Sequence, residues 1–151
     1  MKYDEVPDNL HEMYESLKGK YFPHLARAQV LLLAHKKPMK TKGNLALAKI
    51  IKPTDLIKYL SREEAPAEGY DYIILFDAKL LLHCEDSDIE RVLRHELRHT
   101  FYDSDSKTPY QIVDHDFSDF YDEVELNKDD PGWAKRLSAT VSLIHHQDAD
   151  N

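Results

Sequence analysis

The chain has 151 residues, with 20 Lys and Arg against 28 Asp and Glu, and a formal net charge of -8. Its length is typical of one domain, and 42% hydrophobic with 32% charged residues excludes a disordered chain or a fibre. The longest apolar run, Val30–Ala34, is too short to cross a membrane, and the polar N-terminus lacks the apolar stretch of a signal peptide. The single cysteine, Cys84, excludes an internal disulfide, so we expect a reducing, cytoplasmic location.

The net charge comes from one segment. Residues 1–102 and residues 131–151 are each balanced, whereas Asp103–Asp130 contains ten acids and only two bases, Lys107 and Lys128. An acidic surface argues against general binding to nucleic acid or to an anionic membrane. We therefore expect an acidic rim, next to a cation site, that favours basic peptide segments.

The N-terminal part of the chain is predicted to alternate short helices and strands, on the basis of its apolar runs and its turn residues. In chain order the predictions are a helix capped by Asp8 that ends near Gly19, a buried strand at Ala28–His35, a turn at Lys36–Gly43, a second strand of the same hairpin at Leu45–Ile51, a short helix from Thr54 to Leu60, a loop at Ala65–Gly69 and a strong strand at Tyr70–Phe76.

The C-terminal part is predicted to be mainly helical. A capping box at Ser87–Glu90 indicates a helix that runs to about Phe101. A polar loop at Asp103–Thr108 follows, then a helix at Asp114–Leu126, and then a helix that Pro131 opens. The last two helices have apolar sides, formed in one by Phe117, Phe120, Tyr121 and Val124 and in the other by Trp133, Leu137, Val141 and Ile144, and the tail at 145–151 is expected to fray.

The helix that follows the capping box contains an H-E-x-x-H sequence, His95-Glu96-Leu97-Arg98-His99. Histidines four residues apart lie on one face of a helix, where both can bind a single Zn²⁺, and Glu96 can reach a water beside the metal. Ile89, Leu93 and Leu97 lie on the other side, which leaves one face for the core and one for a cleft. This pattern predicts a metal-dependent hydrolase.

A catalytic zinc needs a third protein ligand and one open position. His115 is the preferred candidate, because the fifteen residues that separate it from His99 are enough for the chain to turn back to the metal. Asp116, Asp119 and Glu123 are the rival third ligands. Two other clusters, His145-His146 and His83-Cys84-Glu85, are expected not to bind metal.

The sequence resembles the short metallopeptidase domains encoded by phages and prophages, which are zincins distantly related to the Spartan-type proteases. The matching features lie between Tyr72 and Trp133: a strand that ends in Asp77, the H-E-L-x-H helix, and a His-Asp-x-x-Asp-Phe stretch at His115–Phe120. The resemblance implies that His95, His99 and His115 bind zinc and that Glu96 is the general base. Members often carry cysteine in or just after the motif, where this chain has Arg98 and Thr100, which are not ligand positions.

The resemblance also implies a fold and a substrate. We expect an α+β, minimal zincin-like domain over residues 1–151, with a small mixed or antiparallel sheet packed on the H-E-x-x-H helix and further helices at the C-terminus. In zincins a peptide substrate pairs with an edge strand above the metal helix, a role that Tyr70–Phe76 or a neighbouring strand would take. Three tyrosines, Tyr102, Tyr110 and Tyr121, are unranked candidates for stabilising the oxyanion.

Two other functions compete with a zinc peptidase. One is a non-catalytic zinc-stabilised module that binds a partner protein, which a fourth ligand such as Asp116 or Asp119 would favour. The other is a DNA-associated factor that uses the lysines between Lys36 and Lys52, although lysines that protect a strand edge from aggregation are more common. We expect no membrane partner, and we expect nucleic acid to be at most a local contact.

Overall fold

The chain folds as an α+β protein, as predicted. In the computed structural model, residues 1–65 and 68–150 are described. Residues Met1–Asp114 form one compact unit and His115–Asn151 a second, and each is described separately below. A single domain over residues 1–151 stays a prediction. No helix in the described residues is long and apolar enough to cross a membrane.

The elements of the first unit are mostly short. Its helices are α1 (Asp8–Tyr21), α2 (Asp55–Leu60), α3 (Ala78–His83) and α4 (Asp86–Leu97), with one 3-10 turn at Pro23–Leu25. Its strands are β1 (Tyr3–Glu5), β2 (Val30–His35), β3 (Met39–Thr41), β4 (Asn44–Ala46), β5 (Ala48–Ile51), β6 (Tyr72–Asp77), β7 (Thr100–Tyr102) and β8 (Tyr110–Ile112).

The main sheet has the strand order β1-β2-β6-β5. The two central strands, β2 and β6, are parallel, and β1 and β5 pair antiparallel on the outside. The predicted hairpin between Ala28–His35 and Leu45–Ile51 is therefore wrong. The second segment is split: Asn44–Ala46 pairs with β3, and Ala48–Ile51 pairs with β6. A strand as apolar as β2 is typical of an inner strand with a neighbouring strand on each side. Its apolar pattern alone does not indicate which strands those neighbours are.

One hydrophobic core joins the sheet to α1 and α4. The core residues of α4 are Ile89, Leu93 and Leu97, which are 4%, 0% and 0% exposed, so the predicted core face of this helix is confirmed. From α1, Leu10 and Leu17 enter the same core. Helix α4 also contacts β5, the outer strand of the sheet, and this contact places the end of α4 beside a sheet edge.

Several predicted helix boundaries in the first unit are wrong. Asp8 is the first residue of α1 and not its cap, which is Pro7. The capping box at Ser87–Glu90 does not form, since α4 begins at Asp86 after an N-cap at Glu85 with no side-chain hydrogen bond. Thr54 does cap α2, through a hydrogen bond from the Ile57 backbone N–H at 3.2 Å. Of the predicted loop at Ala65–Gly69, residues 66 and 67 lie outside the described residues.

The second unit contains two helices, α5 (Tyr121–Leu126) and α6 (Trp133–Ala149). The predicted helix at Asp114–Leu126 is therefore wrong over its first part, so His115 lies in non-helical chain. Helix α6 continues through His145 to Ala149, and the fraying expected for residues 145–151 stays a prediction. No described residue of this unit is buried. Of the first predicted apolar side, Phe117 and Phe120 lie before α5, and no residue of either apolar side is buried.

Candidate metal centre

The last turn of α4 carries the first three residues of the motif, His95, Glu96 and Leu97. Helix α4 ends at Leu97 rather than near Phe101, so His99 lies just beyond it. The chain nevertheless stays coiled through this point, because the N–H of Arg98 donates to Arg94 O and the N–H of His99 donates to Glu96 O, each at 3.1 Å. The rings of His95 and His99 remain neighbours as a result, with centroids 5.4 Å apart and planes at 74°.

Two polar side chains fix the end of α4: Thr100, just after the helix, and His24, from a distant part of the chain. The hydroxyl of Thr100, which is buried, donates to Leu97 O at 2.6 Å. Its oxygen lies 2.8 Å from Nε2 of His24, which therefore acts as the donor. Burial lowers the pKa of His24, so the neutral ring is favoured. This pair satisfies a carbonyl at the helix end, where intrahelical partners are lacking, and starts β7 at Thr100.

The hydrogen bond of His99 determines which of its nitrogens can bind a metal. Nδ1 of His99 lies 2.7 Å from the carbonyl oxygen of Val113, and the Val113 N–H donates to the His99 carbonyl at 2.7 Å. A carbonyl only accepts, so Nδ1 carries the proton and the lone pair of the neutral ring is on Nε2. Histidines that bind metals are commonly oriented in this way, by donating their other N–H to a carbonyl.

Glu96 is buried, with 8% of its surface exposed. Burial raises the pKa of its carboxyl group, and the nearby His99 ring and a hydrogen bond from the Ile50 backbone lower it in part. Ile50 belongs to β5, so the outer strand of the sheet and the motif carboxylate are in contact. A carboxylate in this position, next to imidazoles, is the kind of group that serves as a general base.

The three predicted histidine ligands form one group in the described residues. One ring nitrogen each of His95, His99 and His115 lies within 4.8 Å of the others, while His95 and His115 are exposed and His99 is partly exposed. Zn–N bonds of about 2.0–2.1 Å in a tetrahedron place nitrogens about 3.4 Å apart, a spacing that lies within the 4.8 Å limit of this group. The donor set therefore fits zinc. The rival ligands Asp116, Asp119 and Glu123 are not in this group, and the metal-binding role of all three histidines stays a prediction.

One of three comparisons with known proteins gives a match. A family model described as "Putative phage metallopeptidase" matches residues 1–141. The chain belongs to this family. No curated protein and no solved structure matches it.

In this member of the phage metallopeptidase family, a short hairpin follows the motif. Strands β7 and β8 pair with Thr100 opposite Ile112. The hydroxyl of Tyr72, a buried residue of β6, lies 2.8 Å from Gln111 O and 3.2 Å from Phe101 O, so it ties the hairpin to the sheet. Sequence reasoning missed Tyr72, Val113, Ile50 and His24. Two of them act through backbone atoms, which have no signature in a sequence.

The candidate oxyanion residues lie in different surroundings. Tyr110 and Tyr102 face each other across the hairpin, with ring centroids 5.1 Å apart, and Tyr110 also packs edge-on against Tyr72. Burial raises the pKa of Tyr110. Tyr121 is 95% exposed and lies in the second unit. Which tyrosine takes the role stays a prediction.

The two clusters that were expected not to bind metal lie outside the group of three histidines found in the described part of the chain. Cys84 is an exposed free thiol, and neither His83-Cys84-Glu85 nor His145-His146 belongs to the metal-ligating group. Three of the lysines from Lys36 to Lys52 have partners within the protein: Lys49 donates to Lys40 O at 2.9 Å, Lys36 lies 3.8 Å from Asp4, and Lys52 donates to the Tyr110 carbonyl.

Proposed function

We propose that the chain is a zinc-dependent peptidase in which His95, His99 and His115 hold the metal and Glu96 is the general base. The observation that carries this proposal is the group of three imidazoles of His95, His99 and His115, two of which flank the buried carboxylate of Glu96 in the sequence. The match to the metallopeptidase family supports it.

Each residue has a defined role in this proposal. Bound zinc would supply Lewis-acid activation, which lowers the pKa of a coordinated water toward about 7. Val113 O orients His99 so that Nε2 is presented. Glu96 takes a proton from the attacking water and later delivers it to the leaving amine, a transfer that its raised pKa favours.

The substrate would be an extended peptide on the outer strand of the sheet. The strongly predicted strand, β6, has neighbours on both sides, so the neighbouring strand β5 would take this role in a zincin-like arrangement. Backbone hydrogen bonds to an edge strand give affinity without strong sequence preference. The acidic residues of Asp103–Asp130 further favour basic segments in such a peptide.

Metal analysis tests the ligand set. We expect the purified protein to hold one equivalent of zinc, and His95→Ala, His99→Ala and His115→Ala each to lose most of it. His11→Ala, which removes an exposed histidine of α1, serves as the matched control and should keep it. Less than about a tenth of an equivalent in the parent protein would contradict the proposal.

Turnover tests the general base. Glu96→Gln should keep zinc and lower peptide hydrolysis by about 10²- to 10⁴-fold, because the amide cannot accept the proton. Glu90→Gln, on the same helix, is the control and should leave the rate unchanged. Full activity in Glu96→Gln would show that another group is the base. Tight zinc binding without hydrolysis of any peptide would instead favour the non-catalytic zinc module.

A further inference from the structure

A charged cavity of about 420 Å³ lies within the first unit, outside the group of histidines. Its walls come from α2 and from residues 107–110. Four further residues also line it: Lys52, which follows β5, and Arg62, Glu68 and Asp71, which lie between α2 and β6. Four cationic side chains line it: Lys52, Lys58, Arg62 and Lys107. Nothing in the proposed zinc chemistry uses these residues.

Three acids also line the cavity, but two of them have local roles. Asp71 accepts a hydrogen bond from the Gln29 N–H at 2.8 Å and lies 4.0 Å from Lys58 Nζ. Asp55 lies in the first turn of α2, where a negative charge offsets the helix dipole. The third acid, Glu68, is exposed. Four cations against three acids leave the lining with one net positive charge.

One of the cations, Lys52, is held in place without a carboxylate. Lys52 donates to the carbonyl of Tyr110 and lies 5.2 Å from the ring centre of Tyr72. Among the described residues, no carboxylate oxygen lies within 4.0 Å of Lys52, Arg62 or Lys107. Burial and the neighbouring Lys58 lower the pKa of Lys52, and an anion in the cavity would offset both effects.

The cavity lies close to the candidate catalytic carboxylate along the chain. Ile50, which hydrogen-bonds Glu96, is two residues before Lys52, a distance of about 7 Å in a strand. Tyr110 is three residues before Val113, the partner of His99. A peptide extended along β5 would therefore reach the cavity within one or two residues of the bond next to Glu96.

We propose that this cavity binds one side-chain carboxylate of the peptide substrate, from Asp or Glu close to the cleaved bond. This inference rests on the proposed peptidase function. A single negative charge matches the net charge of the lining, whereas a nucleic acid would place successive phosphates against Asp55 and Glu68. The preference applies to one position and is compatible with basic residues further along the peptide.

A pair of matched peptide pools tests the proposal. One pool contains all residues, and in the other Asp and Glu are replaced by Asn and Gln. Cleavage of the peptides is measured with the zinc-loaded wild-type protein. Capture of uncleaved peptides is measured with the zinc-loaded Glu96→Gln variant. We expect Asp or Glu to be enriched at one position about tenfold over the amides, as a charge-assisted contact would give. Lys58→Gln and Lys107→Gln should reduce this enrichment, and Lys79→Gln, an exposed lysine of α3, should not.

The outcomes separate the two proposals. Cleavage without acidic enrichment would overturn the carboxylate site and leave the peptidase in place. Acidic enrichment among captured peptides, lost in Lys58→Gln and Lys107→Gln but without cleavage by wild type, would support the site and contradict the peptidase. Enrichment that persists in both lysine variants would overturn the site, as would the absence of any capture. Retention of an oligonucleotide that is lost in these variants would assign the cavity to phosphate and also overturn the proposal.

Discussion

Gly69 lies in close contact with the helix that forms one wall of the charged cavity. Its φ angle is +84°, and a Cβ atom added to it would lie 2.1 Å from Lys58 O and under 3.0 Å from two further backbone atoms of Lys58. Backbone atoms cannot rotate away as a side chain can. Gly69→Ala must therefore displace α2, and Lys58 with it.

The cost can be divided with a second glycine. Gly43 has a nearly identical φ of +82°, but an added Cβ there has nothing within 4 Å. Gly43→Ala should lower the free energy of unfolding by about 1–2 kcal/mol, the cost of a left-handed residue with a side chain. Gly69→Ala adds the steric conflict, so we expect a total loss of about 3 kcal/mol or more.

Urea unfolding of the two variants measures the difference directly, since the midpoint falls in proportion to the lost free energy when the slope is unchanged. Gly19→Ala is a third reference: it is exposed on α1, has free space around it, and should gain about 0.5–1 kcal/mol. Equal losses in Gly69→Ala and Gly43→Ala would refute the close approach of Gly69 to α2. The same displacement should weaken acidic preference in Gly69→Ala, because it moves Lys58.

Three further predictions concern polar groups in the first unit. The Tyr14 hydroxyl is buried and has no hydrogen-bond partner in the described structure, so Tyr14→Phe should raise the free energy of unfolding by about 1 kcal/mol. A lower free energy of unfolding for this variant, measured by urea denaturation, would contradict this. Tyr72→Phe should lower it by about 1–2 kcal/mol, because the carbonyl of Gln111 loses its donor, and unchanged stability would show that the hairpin is held otherwise. Burial lowers the pKa of His24 below 6.5, so its contribution to stability is complete above that pH and declines as the pH falls below it. Chemical denaturation at a series of pH values should show this decline in wild type and a smaller one in His24→Gln, and equal declines would refute the assignment.

Local patterns predicted the elements that a single segment determines. The apolar run of β6, the buried face of α4 and the N-cap at Thr54 could be seen from neighbouring residues alone. The partners of the strands could not, because β2, β5 and β6 are all apolar and the sequence does not distinguish a β2–β5 pair from the observed pairing of both strands with β6. The topology depends on contacts between distant segments, which apolar periodicity does not encode.

The end of α4 shows the same limit at the candidate site. The helical pattern continues past His99, but Thr100 leaves the helix because its hydroxyl satisfies Leu97 O and its backbone pairs with Ile112. The H-E-x-x-H spacing predicted that His95 and His99 would be neighbours. It could not predict Val113 O as the partner that fixes the His99 tautomer. In α6 the apolar spacing indicated a face, but not whether anything covers it.

The parallel pairing of β2 with β6 affects how this protein folds. Gln29 and Asp71, which hydrogen-bond just before these strands, are 42 residues apart in sequence. Native contacts between such distant residues require a long loop to close first, and proteins rich in them fold more slowly than helical proteins of similar stability. Because β5 pairs only with β6 in the main sheet, the edge beside Glu96 cannot form before β6 is in place. The strand beside Glu96 therefore depends on β6 for its place in the sheet, and a nascent chain whose β6 has not folded would lack this edge.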